Sequence, residues 1–290
     1  CRARHALPLN NKRLKNIAED TAMTHAPDLK DLLAFAHQLA DAAARATLPL
    51  FRNTPEIDNK LAEGFDPVTA ADREAETAIR ALIEAHYPSH AIIGEEFDDK
   101  SGDEAGTPFE WVLDPIDGTR AFISGMPSWG TLIGLNQNDR PVLGMMDQPF
   151  TGERYFATAG EGAFLRQETG TAEIKTRACA DIKDAVLATT TPELFIGTPA
   201  EPAWHKLTAT AKLTRYGGDC YNYALVALGQ IDAVVEQGLK EVDIQALIPI
   251  VEEAGGIVTD WQGGEAHKGG TAIACGDRAV HAQLLDMLNG

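Results

Sequence analysis

Apolar and polar positions along this chain follow two periods, one of 3.6 residues and one of 2, and the changes between them separate helices from strands. From Asp28 onward, Leu29, Leu32, Leu33, Ala36, Leu39, Ala40 and Ala43 recur at helical spacing, predicting an amphipathic helix with Asp28 as N-cap. Residues 65–69 read as a short extended or loop segment. A second helix starts near Ala70, with Ala75, Ala78, Ile79, Leu82 and Ile83 on one face, and Pro88 ends it. Thr69 and Asp72 have the spacing of a capping box, which places Asp72 beside the positive end of the helix dipole. Residues 91–94 form a short apolar strand running into Glu95-Glu96, and a polar loop follows over 98–106.

Strand-like runs come next at 111–113, 131–135, 141–146, 154–158 and 163–166, a consecutive series that predicts an antiparallel sheet. The second half alternates instead. Strands at 185–189, 213–216, 231–236, 256–261 and 271–275 are interleaved with helices at 202–211, 221–228, 242–254 and 277–288, and Gly255-Gly256 stops the helix over 242–254. Such an order predicts an α/β (α+β) fold made of helix and sheet layers. A boundary near 167–184 would divide an N-terminal half, 23–170, from a C-terminal half, 171–290. Residues 1–22 are basic and lack an apolar core, so they read as an extension ahead of Met23 and outside the fold, with a targeting peptide as the alternative.

The sharpest local break is WVLDPIDGTRAF, residues 111–122. Two carboxylates three residues apart on a straight strand would lie about 10 Å from each other. Asp and Pro at the first two positions of a β-turn, with Gly118 to release the backbone, predict a turn that folds Asp114 and Asp117 toward one point. Converging anions repel unless a cation lies between them. Asp72 and Asp243 at helix starts and Glu95 after a strand add further acids at element ends, and no His or Cys joins them. An all-oxygen set fits Mg²⁺ or Mn²⁺ better than zinc. A phosphatase with an aspartate nucleophile would need DxDGT, and here two residues separate the acids. Walker A, HExxH and GxSxG motifs are absent. His86 and His90 flank Pro88 and read as surface or packing residues.

Composition narrows the class. With 44% hydrophobic and 23% charged residues the chain is of ordinary globular type, and a net charge of −18 argues against a nucleic-acid-binding surface. Cys1, Cys179, Cys220 and Cys275 show no CxxC spacing and read as free thiols of a reducing compartment, which points to the cytoplasm. No run of about 18 apolar residues predicts a membrane-spanning helix.

Four motifs in order, DPVTAAD (66–72), IGEE (93–96), WVLDPIDGT (111–119) and VDIQALIPIVEEAGG (242–256), resemble those of the Mg²⁺-dependent, Li⁺-sensitive inositol monophosphatase family, over about residues 28–288. The resemblance implies an αβαβα sandwich of the sugar-phosphatase type. It also implies that Glu95, Asp114, the Ile116 carbonyl, Asp117 and Asp243 are metal ligands for two or three Mg²⁺, with Mn²⁺ as a substitute. Asp72 matches the acid that binds a further metal and, with Thr119 and Glu95, activates water. The amides of Gly118 and Thr119 match phosphate contacts, and Lys60 resembles a lysine preceding the Asp66 segment, at an offset about one residue different. Family members are often homodimers, so the resemblance implies one here. The implied chemistry is hydrolysis of a phosphate monoester by activated water, with no covalent intermediate.

Within the family, Arg120 to Gly125 and the following PSWGTLIGL resemble the branch acting on L-histidinol phosphate, a substrate of histidine biosynthesis, as does RYGGDCYNYALVALGQIDAVVE. Asp219 and Glu236 then match substrate-binding acids, with Arg120 a further contact. Asp219 also suits a helix N-cap, and Trp129 reads as core. A broader inositol, sugar or nucleotide phosphatase is the alternative. A regulatory, RNA-associated family member is disfavoured by the full acid set and the lack of a basic patch.

Overall fold

The computed structural model describes residues 28–53, 57–59, 67–103 and 107–290. Lys60, Asp66 and the segment 1–22 lie outside them. Helix α1 (Leu29–Thr47) starts at its N-cap Asp28, as its periodicity predicts, and buries Leu32, Phe35, Ala36, Leu39, Ala40 and Ala43. Strands β1 (Ile57–Asn59) and β2 (Pro67–Thr69) form a small antiparallel pair. Helix α2 (Ala70–His86) opens on the predicted capping box between Thr69 and Asp72.

Seven strands follow in one sheet, in the order β3-β4-β5-β6-β7-β8-β9. They are β3 (Ala91–Gly94), β4 (Phe109–Asp117), β5 (Gly130–Gln137), β6 (Arg140–Gln148), β7 (Glu153–Thr158), β8 (Gly162–Gln167) and β9 (Gly170–Ile174). From β4 to β9 every pair is antiparallel, whereas β3 runs parallel to β4. Short helix α3 (Thr119–Ile123) and strand β9 carry too few residues for a periodic signal and were not expected.

The second sheet has the order β11-β10-β12-β14-β13. Its strands are β10 (Val186–Thr189), β11 (Leu213–Tyr216), β12 (Ala233–Leu239), β13 (Ile257–Thr259) and β14 (Gly270–Cys275). Between and around them lie α4 (Glu201–Thr210), α5 (Asp219–Ala227), α6 (Glu241–Ile244), α7 (Leu247–Glu253) and α8 (Arg278–Asn289).

Three apolar cores stack these elements. The first joins α1 and α2 to one face of the seven-stranded sheet through Leu39, Ile79, Trp111 and Leu135. The second fills the space between the sheets, where Leu132, Met146 and Tyr155 meet Tyr223, Val226, Leu247 and Val234. In the third, Leu207 of α4 and Leu284 of α8 cover the outer face of the five-stranded sheet, against Leu187, Val235 and Ile273. The layers therefore run αβαβα. Among the described residues no helix is long and apolar enough to cross a membrane. Cys179, Cys220 and Cys275 are free. His90 is core, stacked on Tyr87 with its Nδ1 taking the Trp111 indole N–H at 3.1 Å, and Trp129 is buried among Phe51 and Phe122.

Two further elements depart from the sequence expectation. The helix expected over 242–254 is split into α6 and α7. Pro249 has no N–H and its ring crowds the carbonyl of Gln245, so the ladder breaks there. The other departure concerns the opening acids. No turn ends the strand at Asp114; β4 continues to Asp117 with a β-bulge. Asp114 pairs with Leu132 and Asp117 with Gly130, so three steps on β4 face two on β5.

Candidate active site

The bulge is what makes the two acids converge. On a regular strand, residues three apart point to opposite faces; one extra residue restores the same face. The Asp114 carboxylate takes the Ile116 N–H at 3.1 Å, and Thr131 Oγ1 donates to the Pro115 carbonyl at 2.8 Å, which pins the bulge from both sides. Glu95 arrives by register. Gly94 pairs in parallel with Leu113, so Glu95, just past the end of β3, stands beside Asp114 of β4. Gly94 leaves room for buried Glu76, whose Oε1 a Cβ there would overlap; Glu76 in turn binds Arg80 at 2.7 Å and the Glu96 N–H at 2.8 Å.

Asp243 comes from the other sheet's side, in the first turn of α6, where its carboxylate takes the Lys240 N–H at 2.7 Å. One oxygen each of Asp114, Asp117 and Asp243 lies within 4.8 Å of the others. Asp72 stays near its helix start, with Oδ2 accepting from Thr69 N and Oγ1 at 2.8 and 2.7 Å, close enough to Glu95 for their charges to interact. Thr119 Oγ1 donates to the Ile116 carbonyl at 3.1 Å. Gly118 caps α3 with φ of 82°.

A third acid-bearing element closes the site. Cys220 N, in the first turn of α5, donates to Asp117 at 2.6 Å, which brings Asp219 against Gly118. Asp219 is the first residue of α5 and is not its N-cap, a place Gly218 takes. Its φ of 44° is a left-handed conformation that costs a non-glycine residue roughly 1 kcal/mol. Behind it, Glu236 is buried and accepts from Thr190 N, Thr190 Oγ1 and Tyr223 OH at 2.7, 2.6 and 2.9 Å.

The electrostatics are those of crowded anions. Burial, then the neighbouring Glu95, Asp117 and Asp243, raises the Asp114 carboxyl well above its ordinary range. Burial, then Asp219 and Asp243, does the same to Asp117. Asp243 and Asp219 are each pushed up to about 6, chiefly by burial, with Arg120 and a Thr190 hydrogen bond opposing the rise at Asp219. Burial also raises Asp72 and Glu236 against their hydrogen bonds. Hard oxygen donors converging in this way, with protonation the only other relief, fit a divalent cation.

The site opens into two adjoining cavities. One of about 280 Å³ is lined by Glu95, Asp114, Asp117, Arg120, Lys240 and Asp243, among others. The other, about 170 Å³, extends over Asp219 toward Thr190, Tyr223, Glu236 and Gln237. A cavity of about 300 Å³ elsewhere, beside Arg140, Ile248 and His267, holds none of the converging acids. The structure thus brings together Asp72, Glu95, Asp114, Ile116, Asp117, Gly118, Thr119, Arg120, Asp219, Glu236 and Asp243. Sequence reasoning missed Thr190 and Lys240. Thr190 follows a strand and Lys240 precedes Asp243 by three residues, signals too common to single out.

A layered αβαβα sandwich with an oxygen-only acid cluster at its strand ends defines a metal-dependent phosphatase. The chain belongs to the inositol monophosphatase family, whose profile matches residues 28–289. It is 40% identical over 288 residues to the bifunctional phosphatase IMPL2, chloroplastic, of Arabidopsis thaliana, covering 96% of this chain and 81% of that protein. A histidinol-phosphatase of Chlorobaculum parvum is 35% identical, with 89% and 95% covered. An inositol monophosphatase structure from Zymomonas mobilis superposes with a TM-score of 0.79 at 43% identity, covering 91% of this chain and all of that one. At 30% identity the relatives include both an inositol-1-monophosphatase of Rhizobium meliloti and a Nus factor SuhB of Salmonella typhimurium, so membership alone does not select a substrate.

Proposed function

We propose that this phosphatase hydrolyses L-histidinol phosphate to L-histidinol and phosphate. One observation carries the choice: a second, acidic cavity built on Asp219 adjoins the first acid cluster. A phosphate ester whose alcohol carries an ammonium and an imidazole needs anionic partners beyond its phosphate, and a neutral polyol does not. Arg120 sits in the field of Asp219 at the cavity mouth, where it can meet the phosphate while Asp219 meets the amine. Glu236 already accepts three hydrogen bonds from Thr190 and Tyr223, so it acts on the substrate chiefly by holding Thr190 and by its field, with Asp219 as the direct contact. The likeness to a histidinol-phosphatase supports this reading; the likeness to an inositol monophosphatase structure supports the inositol 1-phosphate alternative.

In this proposal Glu95, Asp114, the Ile116 carbonyl, Asp117 and Asp243 hold magnesium, with Asp72 at a further position. Bound divalent cations supply charge that acidifies water and neutralises the phosphate and the departing alkoxide. The chain's own groups do the positioning. The Gly118 and Thr119 amides face the phosphate, and Asp72 with the Thr119 hydroxyl orients the attacking water. Thr119 is held for this by its bond to the Ile116 carbonyl, and Asp72 by Thr69. No protein nucleophile is required.

Removing the Asp219 carboxylate tests the amine contact. Charge-assisted hydrogen bonds are worth about 1.5–3 kcal/mol, so Asp219→Ala should raise KM for histidinol phosphate on the order of tenfold or more. KM for a neutral polyol phosphate should change little. Equal effects on both substrates would refute the role.

A further inference from the structure

We propose that Lys240 is a phosphate-contacting residue of this site, parked on Glu95 and displaced onto the substrate by the divalent cation that Glu95 shares; the inference rests on the phosphatase reading above. Among the described residues lining the mouth cavity, two carry positive charge, Arg120 and Lys240. Arg120 lies in the field of Asp219, where the ester's phosphate adjoins its leaving alcohol. Lys240 lies on the side of the acid cluster, its Nζ 3.0 Å from Glu95 Oε1.

The backbone of Lys240 is fixed. Its N–H is bonded to Asp243, and Gly269 is packed so tightly beneath that a Cβ there would overlap the Leu239 carbonyl oxygen. Neighbouring Glu241 is engaged by Gln245 at 3.4 Å and approached by Lys268 at 3.6 Å, so it is directed away from the cavity cations. The Lys240 side chain is 55% exposed, and its four-carbon stem can swing where the main chain cannot.

The ammonium's ion pair with Glu95 is the weak point of the arrangement. Glu95 is shared between Lys240 on one side and buried Asp114 on the other. Ammonium and divalent cation compete for the same carboxylate, and their like charges repel. With Glu95 and Asp243, whose charges it faces, both given to the cation, a lysine anchored at this rim has the phosphate dianion as an acceptor within the same cavity. The residue therefore opposes cation binding and favours phosphate binding, a pair of signs that a merely structural lysine does not give.

Lys240→Met and Lys240→Arg test it, with two titrations. Calorimetric titration of Mn²⁺ into substrate-free protein should show the Met variant binding about threefold tighter or better, because a nearby positive charge is gone. Inhibition by inorganic phosphate at saturating Mg²⁺ should weaken about tenfold in the Met variant, with KM rising more than kcat falls, and the Arg variant should restore it. Unchanged or weaker Mn²⁺ binding by the Met variant, or unchanged phosphate inhibition, would overturn the role of Lys240. Failure of the unaltered protein to bind Mn²⁺ or to hydrolyse any phosphate monoester would instead overturn the phosphatase reading beneath it.

Discussion

Asp243 and Asp219 each sit near pH 6 in their buried setting, far above the ordinary value for aspartate of about 3.9. The sign of the consequence follows from proton counting. Between these values the folded chain binds more protons than the unfolded one, so these residues cost stability as pH rises, with the cost complete above about pH 6. His37 and His90 run the other way. Burial lowers each to about 4, so they favour the fold above the unfolded imidazole value and lose that contribution as pH falls. Subtracting the melting temperature of chelated protein from that of Mg²⁺-saturated protein cancels the histidines, which lie away from the cluster. What remains is proton competition for the cation's carboxylates. The Mg²⁺-induced rise in Tm should therefore be larger at pH 7 than at pH 5. A rise independent of pH would contradict the assignment of Asp243 as a ligand.

At the scale of elements, the site depends on how closely β4, β6 and the α6–α7 junction approach one another. Gly144 on β6 is the tightest point, because a Cβ there would overlap the Ala246 carbonyl oxygen between the two short helices. Backbone cannot yield as a flexible side chain does, so Gly144→Ala should cost about 2–3 kcal/mol, read as a lower urea midpoint at unchanged slope. An unchanged midpoint would show that the junction is softer than the packing implies. The same elements show what the sequence made legible. Helices α1 and α2 were readable because long amphipathic stripes and caps at Asp28 and Thr69 are local signals. The convergence of Asp114 and Asp117 was readable, but its cause was misassigned. A bulge needs knowledge of the partner strand β5, and Asp-Pro resembles a turn in isolation. The break between α6 and α7 was signalled by Pro249, yet the apolar run across it hid the interruption.

For the whole molecule, the αβαβα order was legible because a run of strands followed by alternating strands and helices leaves few ways to bury every apolar face. What local patterns could not supply is which residues meet across layers. Glu95 leaves the seven-stranded sheet and Lys240 the five-stranded one, 145 positions later, and only the packed fold joins them at 3.0 Å. Asp219 was legible as an acid at a helix start, whereas its place beside Gly118, with Glu236 behind Thr190, is tertiary. That juxtaposition of two acidic cavities is the basis of the substrate assignment. Steady-state kcat/KM in Mg²⁺ on L-histidinol phosphate, inositol 1-phosphate and adenosine 3′,5′-bisphosphate tests it most directly. The account predicts that histidinol phosphate leads by at least about tenfold, the worth of one charge-assisted contact; equal or better turnover of inositol 1-phosphate would contradict it.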